Sequence, residues 1–391
     1  MKGATITGIG MSKLGRNLHR PPMDLLLDAA LEAMADAGLT RDDIDGITTY
    51  PGRATGSPGM SPLGVGELRN ALGLKTRWHS ATPEGAAQMS AIMVAAMAVA
   101  TGQARHVICF RALTESSSQT PERRASLPAG STGRVSGWPS WYLPMYAMSA
   151  TTWAGWAATR YFHAFGMTRE HLGAIAVNQR FNAQGNPRAL MHGKPLTLDD
   201  YYAARMISTP LGLFDCDVPI DGACVIIISA ADAARDCRKT PLRIEAMSAA
   251  MNEKETWDQQ PDLTKMASHD AAADMWKNTD LKPADVDVLQ TYDGFSIFVP
   301  LWMEAFGFCG HGEAKDFIAG GHSRLDGSLP TNTGGGQLSA GRLHGFGHLH
   351  EACVQLWGEG GARQVPDARV AAVGMGADRS LAQCSSSVID D

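Results

Sequence analysis

The sequence predicts an α/β protein built from two similar βα halves, with two mixed sheets packed through shared helices. Three observations carry this. The chain has 391 residues, long for one compact core and suited to two domains or a doubled unit. Short apolar, strand-like runs alternate with helical stretches along most of it. Residues 28–52 also align without a gap to residues 270–294, the mark of an internal duplication.

Taken in order, ATITGIGM (4–11), GITTYPG (46–52), HVICFRAL (106–113) and VIIISAAD (225–232) read as strands of the first half. LRIEAMSAAM (242–251), VDVLQTYD (286–293) and RVAAVGMG (369–376) serve the second. The division is placed at 1–240 and 241–391. Nine identities fall at one offset in the duplicated segment: Asp28/Asp270, Ala29/Ala271, Ala30/Ala272, Leu39/Leu281, Asp43/Asp285, Asp45/Asp287, Thr49/Thr291, Tyr50/Tyr292 and Gly52/Gly294. Each copy reads as an amphipathic helix, a turn, a cap of type TRDDI or KPADV, and a short apolar strand. AIMVAAMAVA (91–100) predicts a helix buried on all sides; it has about half the length that a membrane span requires. Residues 115–200 break the pattern as an inserted loop region holding four of the nine tryptophans, Trp138, Trp141, Trp153 and Trp156. That aromatic content suits either an apolar ligand wall or plain packing.

Composition narrows the function. The formal net charge is −6 and 44% of residues are hydrophobic, an ordinary globular balance that argues against nucleic acid as the main partner. The basic cluster PERRAS (121–126) is too short to reverse this. The N-terminus shows no apolar signal region. Seven cysteines without CxxC spacing fit reduced thiols in a cytoplasm.

SAGRLHGFGHLH (339–350) packs Arg342, His344, His348 and His350 around three glycines. His344 and His348 are spaced to share a helix face as metal ligands. No third ligand of matching spacing follows and HExxH is absent, so the stretch reads as an acid–base corner and no metal is expected in this chain. NTGGGQ lacks the GK[ST] of a phosphate loop, and GIGMSKLG lacks GxGxxG spacing.

Several long segments then carry a resemblance: LGAIAVNQRFNAQGNPRAL, YYAARMISTPLGLFDCDVPIDGAC, YDGFSIFVPLWMEAFGFCGHGEAKDFI, LPTNTGGGQLSAGRLHGFGHLHEACVQLWGEGGARQVP and VAAVGMG. In order and spacing these resemble the thiolase superfamily, in its sterol-carrier or lipid-transfer branch, over nearly the whole chain. The resemblance implies a five-layered α-β-α-β-α fold, usually dimeric. The thiolase residues themselves are replaced. Thr82 stands at the nucleophilic cysteine position before Gly85, Arg342 at the histidine of the GHPLG turn, Met375 near the second cysteine, and Tyr292 at the Asn or His of the HDCF-like motif. Acyl transfer needs a polarisable thiolate, which those positions no longer supply.

The chain more closely resembles the cysteine-free, steroid side-chain-cleaving aldolases of that branch. These imply retro-aldol cleavage of a bulky β-hydroxyacyl-CoA to a ketone or aldehyde plus a shorter acyl-CoA. Tyr292 matches one of their catalytic tyrosines, Arg342 replaces the other, and His344 matches their pattern. A tyrosine with an ordinary pKa of about 10 acts as a base only beside a cation. Arg342 fits that role, or else pairs with Asp293 or Glu351. His344 would carry or orient the proton, and His348 would pack or orient behind it. The TNTGGGQ loop, with Asn332 and Gly335, would receive the enolate oxygen on backbone N–H groups. Asp293 is read as holding the loop, and Thr82 either as a substrate contact or as the remnant of cysteine loss. The resemblance further implies coenzyme A as part of the substrate, no cofactor bound in this chain, and a homodimer joined to a small OB-fold (DUF35-type) zinc-ribbon protein as α2β2. Acyl transfer by an unrecognised nucleophile and a non-catalytic lipid-binding subunit are the alternatives.

Overall fold

The computed structural model describes residues 3–53, 58–81, 89–119, 136–137, 139–254, 256–377 and 379–387. Strands β1 (Ala4–Met11), β2 (Gly46–Thr49), β3 (Trp78–Ala81), β4 (His106–Thr114) and β5 (Asp221–Ala230) belong to the first half. Strands β6 (Leu242–Met251), β7 (Val288–Thr291), β8 (Val370–Gly376) and β9 (Arg379–Ser386) belong to the second. Their order is β3-β2-β4-β5-β1-β6-β9-β8-β7, so each half runs outward from the centre in the same sequence of equivalent strands. The two half-sheets are continuous only through Thr5–Arg243 and Ile6–Leu242. The expected pair of sheets is therefore joined at one narrow seam.

Helices complete five layers. On one outside, α1 (Pro22–Ala37) packs on β1, β4 and β5; on the other, α6 (Ala267–Trp276) packs on β6, β8 and β9. Between them lie α3 (Ser90–Ala100) and α8 (Phe346–Leu356), and α8 touches β7 and β8 of its own half and β1 and β5 of the other. The reason for α1 is legible in its residues. Leu25, Leu26, Ala29, Ala30, Ala33, Met34 and Ala37 fall on one face, a proline opens it, and Gly38 closes it at φ 73°.

Hydrogen bonds repeat as the sequence does. Asp45 accepts from the backbone N–H groups of Arg105 (2.8 Å) and His106 (3.0 Å), clasping the start of β2 to β4. Asp287 accepts from those of Arg369 (2.7 Å) and Val370 (2.9 Å), clasping β7 to β8. Asp43 likewise accepts from Thr40 N–H at 2.8 Å and Asp285 from Lys282 N–H at 2.7 Å. Tyr50 and Tyr292 each follow the last residue of their strand.

Three expectations are corrected. Helix α3 is not buried on every side, since Met97 is 46% exposed. The region 115–200 is not mainly loop: it holds α4 (Ala150–Phe165) and α5 (Arg169–Gln184), each ended by a glycine. Trp138 lies outside the described residues. In the main sheet β3 and β9 are additional, and Met206–Ser208 and Leu211–Gly212 form a small separate two-stranded sheet. Among the described residues no helix is long and apolar enough to cross a membrane.

Candidate active site

The site lies where the ends of β4 and β7, the segment before β5 and the glycine-rich turn before α8 converge. Residues 341–345 make that turn: Gly341 and Gly345 take φ 121° and 86°, and His344 itself takes φ 50°. Few L-residues adopt such angles without compensation. Here the His344 N–H donates to Gln337 Oε1 at 3.1 Å, and its ring reaches Arg111 on β4.

That ring contact fixes a proton. Arg111 Nη2 lies 3.2 Å from His344 Nδ1. A guanidinium can only donate, so Nδ1 accepts and the ring proton sits on Nε2. Burial, with the positive charges of Arg111 and Arg342, holds His344 well below its ordinary pKa. It is therefore a neutral donor through Nε2–H at working pH. Arg111 is itself buried and anchored by Nη1 to the Tyr50 carbonyl at 2.8 Å. Burial draws it down to about 10, against the opposing pull of Glu115 and Tyr50.

Arg342 pairs with neither Asp293 nor Glu351. Its Nε and Nη2 donate to Glu115 Oε2 at 3.0 and 2.9 Å, and Nη1 donates to Asp217 Oδ1 at 3.0 Å. Burial opposes its charge, but Asp217, Glu115 and Tyr292 outweigh that and raise its pKa above the usual arginine value. Glu351 is instead gripped by Arg363 through two 2.9 Å bonds. Burial pushes Asp217 up to about 7; Arg342 opposes the rise, while Glu115 and Asp293 add to it. A buried carboxyl that titrates near neutrality beside a cation is suited to proton transfer.

Tyr292 is 8% exposed, and its ring stacks on Phe298 of α7 (Phe298–Phe306) at 5.4 Å and 18°. Its hydroxyl lies over Gly294, where a Cβ would stand only 2.4 Å from the oxygen. The Gly294 carbonyl accepts from Asp217 N–H at 3.0 Å, so Tyr292, Asp217 and Arg342 gather around this glycine. Phe298 continues edge-on to Trp257 (5.3 Å), Trp257 to Trp153 of α4 (5.6 Å), and Trp153 to Tyr142 (5.4 Å). The inserted region thus reaches the site through a run of aromatic rings.

Other residues hold the framework. Asp293 accepts from Gln337 N–H (2.9 Å), Leu338 N–H (3.1 Å) and His348 Nε2 (2.9 Å), fixing the loop and orienting His348 behind it. Asn332 and Gly335 are both bonded within the framework. The Asn332 side chain bonds both backbone groups of Thr291, at 2.8 and 3.0 Å. The Gly335 N–H donates to the Asn332 carbonyl at 2.8 Å, and the residue packs on Ala183 of α5. Thr82 and Gly85 lie outside the described residues. Behind His348, a polar cavity of about 40 Å³ beside Gln290, His350 and Glu351 has room for a few waters and none for an acyl chain.

Sequence reasoning missed Arg111, Glu115 and Asp217. One signal was present: Arg111 sits in the otherwise apolar strand HVICFRALT, where a charge must have a buried partner. Asp217 sits in FDCDVP, whose spacing carries no such mark. No thiol is poised for acyl transfer. Burial raises all seven, Cys216, Cys309 and Cys384 up to about 12.

Comparison with known proteins agrees with this architecture. Residues 249–387 match the family model described as Thiolase C-terminal domain-like. The chain is 36% identical over 371 residues to a 17-hydroxy-3-oxo-4-pregnene-20-carboxyl-CoA lyase of Mycobacterium tuberculosis, covering 91% of this chain and 92% of that protein. It is 33% identical to a steroid side-chain-cleaving aldolase of Thermomonospora curvata, over 89% of each. Among solved structures it is similar to an Ltp2–ChsH2(DUF35) aldolase, with TM-score 0.87 and 30% identity over 98% of this chain and 97% of that one.

Proposed function

Since this chain belongs to the thiolase superfamily, in the group of lipid-transfer-type aldolases that cleave steroid side chains, we propose that it breaks a carbon–carbon bond in a bulky β-hydroxyacyl-CoA by retro-aldol chemistry. The observation that carries the reading is the gathering of Tyr292, Arg342 and Asp217 around Gly294, with His344 held neutral nearby. Tyr292 takes the proton of the β-hydroxyl. The charge of Arg342 favours the phenolate, and Asp217, which titrates close to neutrality, is the final acceptor. As the carbonyl forms, the bond between the α and β carbons breaks and its electron pair passes into the thioester enolate. His344 Nε2–H stabilises the enolate oxygen. Asp217 returns the proton through Tyr292 to the α carbon, which releases the shorter acyl-CoA and restores both groups.

The name of the mycobacterial relative points to a 17-hydroxy steroid carrying a three-carbon acyl-CoA side chain. The product would be a ring ketone, and the aromatic run from Phe298 to Tyr142 fits a flat, apolar ring system. Coenzyme A enters as part of the substrate. Similarity to the Ltp2–ChsH2(DUF35) aldolase supports a DUF35-type partner for this chain; a homodimer, a cytoplasmic setting and an OB-fold zinc ribbon in that partner are our own proposal.

The test is Tyr292→Phe, which keeps the stack on Phe298 and removes only the hydroxyl. Release of shorter acyl-CoA should fall at least about 100-fold with substrate binding retained. Near-normal turnover would remove Tyr292 from the mechanism.

A further inference from the structure

We infer that His269, Glu304 and His311 form a metal site of their own, best matched to zinc. One ligand atom from each lies within 4.8 Å of the others. The site draws together the first turn of α6, the last turn of α7 and the loop that follows α7. Glu304 is six residues along α7 from Phe298, roughly 9 Å at helical rise, so the site is separate from the catalytic residues.

The hydrogen bonds around it leave room for a cation. Thr264 Oγ1 gives its proton to Asp262 Oδ1 at 2.6 Å, so toward His311 Nε2, 3.1 Å away, it can only accept. The His311 proton is thereby placed on Nε2. Nδ1 then turns its lone pair to Glu304 Oε2, 3.0 Å away, where two acceptors face each other unless a proton or a metal lies between. The other carboxylate oxygen, Oε1, is already occupied by the N–H groups of Gly312 (2.9 Å) and Ala314 (3.2 Å) and by the Tyr161 hydroxyl.

His269 decides between the two. Its Nε2 is buried without a hydrogen-bond partner among the described residues. A proton shared between Glu304 and His311 does nothing for that nitrogen, whereas a metal engages all three. Zinc on Nε2 requires the ring proton on Nδ1, which lies 3.4 Å from Ser268 Oγ and 3.5 Å from the Met266 N–H, a long contact that metal binding would give up. Two imidazoles and one carboxylate are a zinc donor set, and the bonds of about 2.0–2.1 Å need only a small inward swing of the rings. The half-exposed side of His311 leaves a fourth position for water. Phe165 of α4 packs edge-on against His311 at 4.8 Å. The ion would thus pin the inserted helix to the second half.

The test compares zinc content after exposure to zinc chloride and dialysis, in the full-length protein and in His269→Leu and His311→Gln. It can be run with or without the OB-fold partner, because any partner zinc is common to all three. Each variant should hold about one zinc per chain fewer than the parent, and cobalt loading should give visible d–d bands only in the parent. His269→Leu also removes the Nδ1 contacts with Met266 N–H and Ser268 Oγ, so each protein is compared with itself with and without metal; added zinc should raise the melting temperature of the parent alone. Equal zinc in all three proteins, no zinc uptake by the parent, or cobalt bands that survive in either variant would overturn the assignment.

Discussion

Replacing Asp217 by Asn isolates one titration in the site. The amide keeps an oxygen for Arg342 Nη1 but cannot ionise. In the folded chain Asp217 titrates at about 7, against about 3.9 for an aspartate in an unfolded chain. Between these values the folded state holds a proton that the unfolded chain has lost. This contribution to stability is complete below about pH 4 and disappears as the pH rises through about 7. From pH 5 to pH 8 the parent should therefore lose about 3 kcal/mol relative to Asp217→Asn, whose other titrations are shared and cancel. For a chain of this length that is a relative fall in melting temperature of roughly 3–4 °C. Thermal unfolding of both proteins at half-unit pH intervals measures it. Curves that run parallel within 1 °C would show that Asp217 ionises as an ordinary carboxylate, and its place as proton acceptor would be withdrawn.

Two further outcomes follow from the same geometry. His344→Ala removes a donor to the enolate and should lower kcat by about 100- to 1,000-fold. The limb of the rate profile near pH 7 should persist in that variant and vanish in Asp217→Asn; the reverse would show that His344, not Asp217, titrates. Gly294→Ala places a methyl group 2.4 Å from the Tyr292 hydroxyl. It should displace the ring, reduce turnover at least about tenfold and destabilise the fold by about 1–3 kcal/mol; full activity would mean that the hydroxyl works from another position.

Elements with a strong apolar pattern were legible in the sequence, and those built on hydrogen bonding were not. The apolar runs of β1, β4 and β5 and the duplication located most of the sheet. By contrast β9, RSLAQCSS, lies between β6 and β8 and is buried almost throughout although half of it is polar. Its ladder, not its side chains, makes it a strand. β3 is four residues at a sheet edge, too short to show a period. The glycine turn and Tyr292 were visible because both stand in long family-like segments. Arg111, Glu115 and Asp217 were not, because two distant stretches, 111–115 and 217, supply them and only folding brings them to Arg342 and His344. The loop that holds Asn332 and Gly335 is ambiguous from sequence for a physical reason. A glycine-rich loop permits close approach of a ligand and of a helix equally, and here the helix is α5.

Duplication has left the centre of this fold with twin tyrosines. Tyr292 sets its hydroxyl over Gly294, while the carbonyl of Tyr50 anchors the arginine that sets the proton on His344. The two strand ends thus carry the same residue type in different surroundings. A lineage that discards one reactive group can recruit another from the opposite half and leave the framework untouched. Matched positions of this kind let a duplicated framework vary a side chain without changing its strand order.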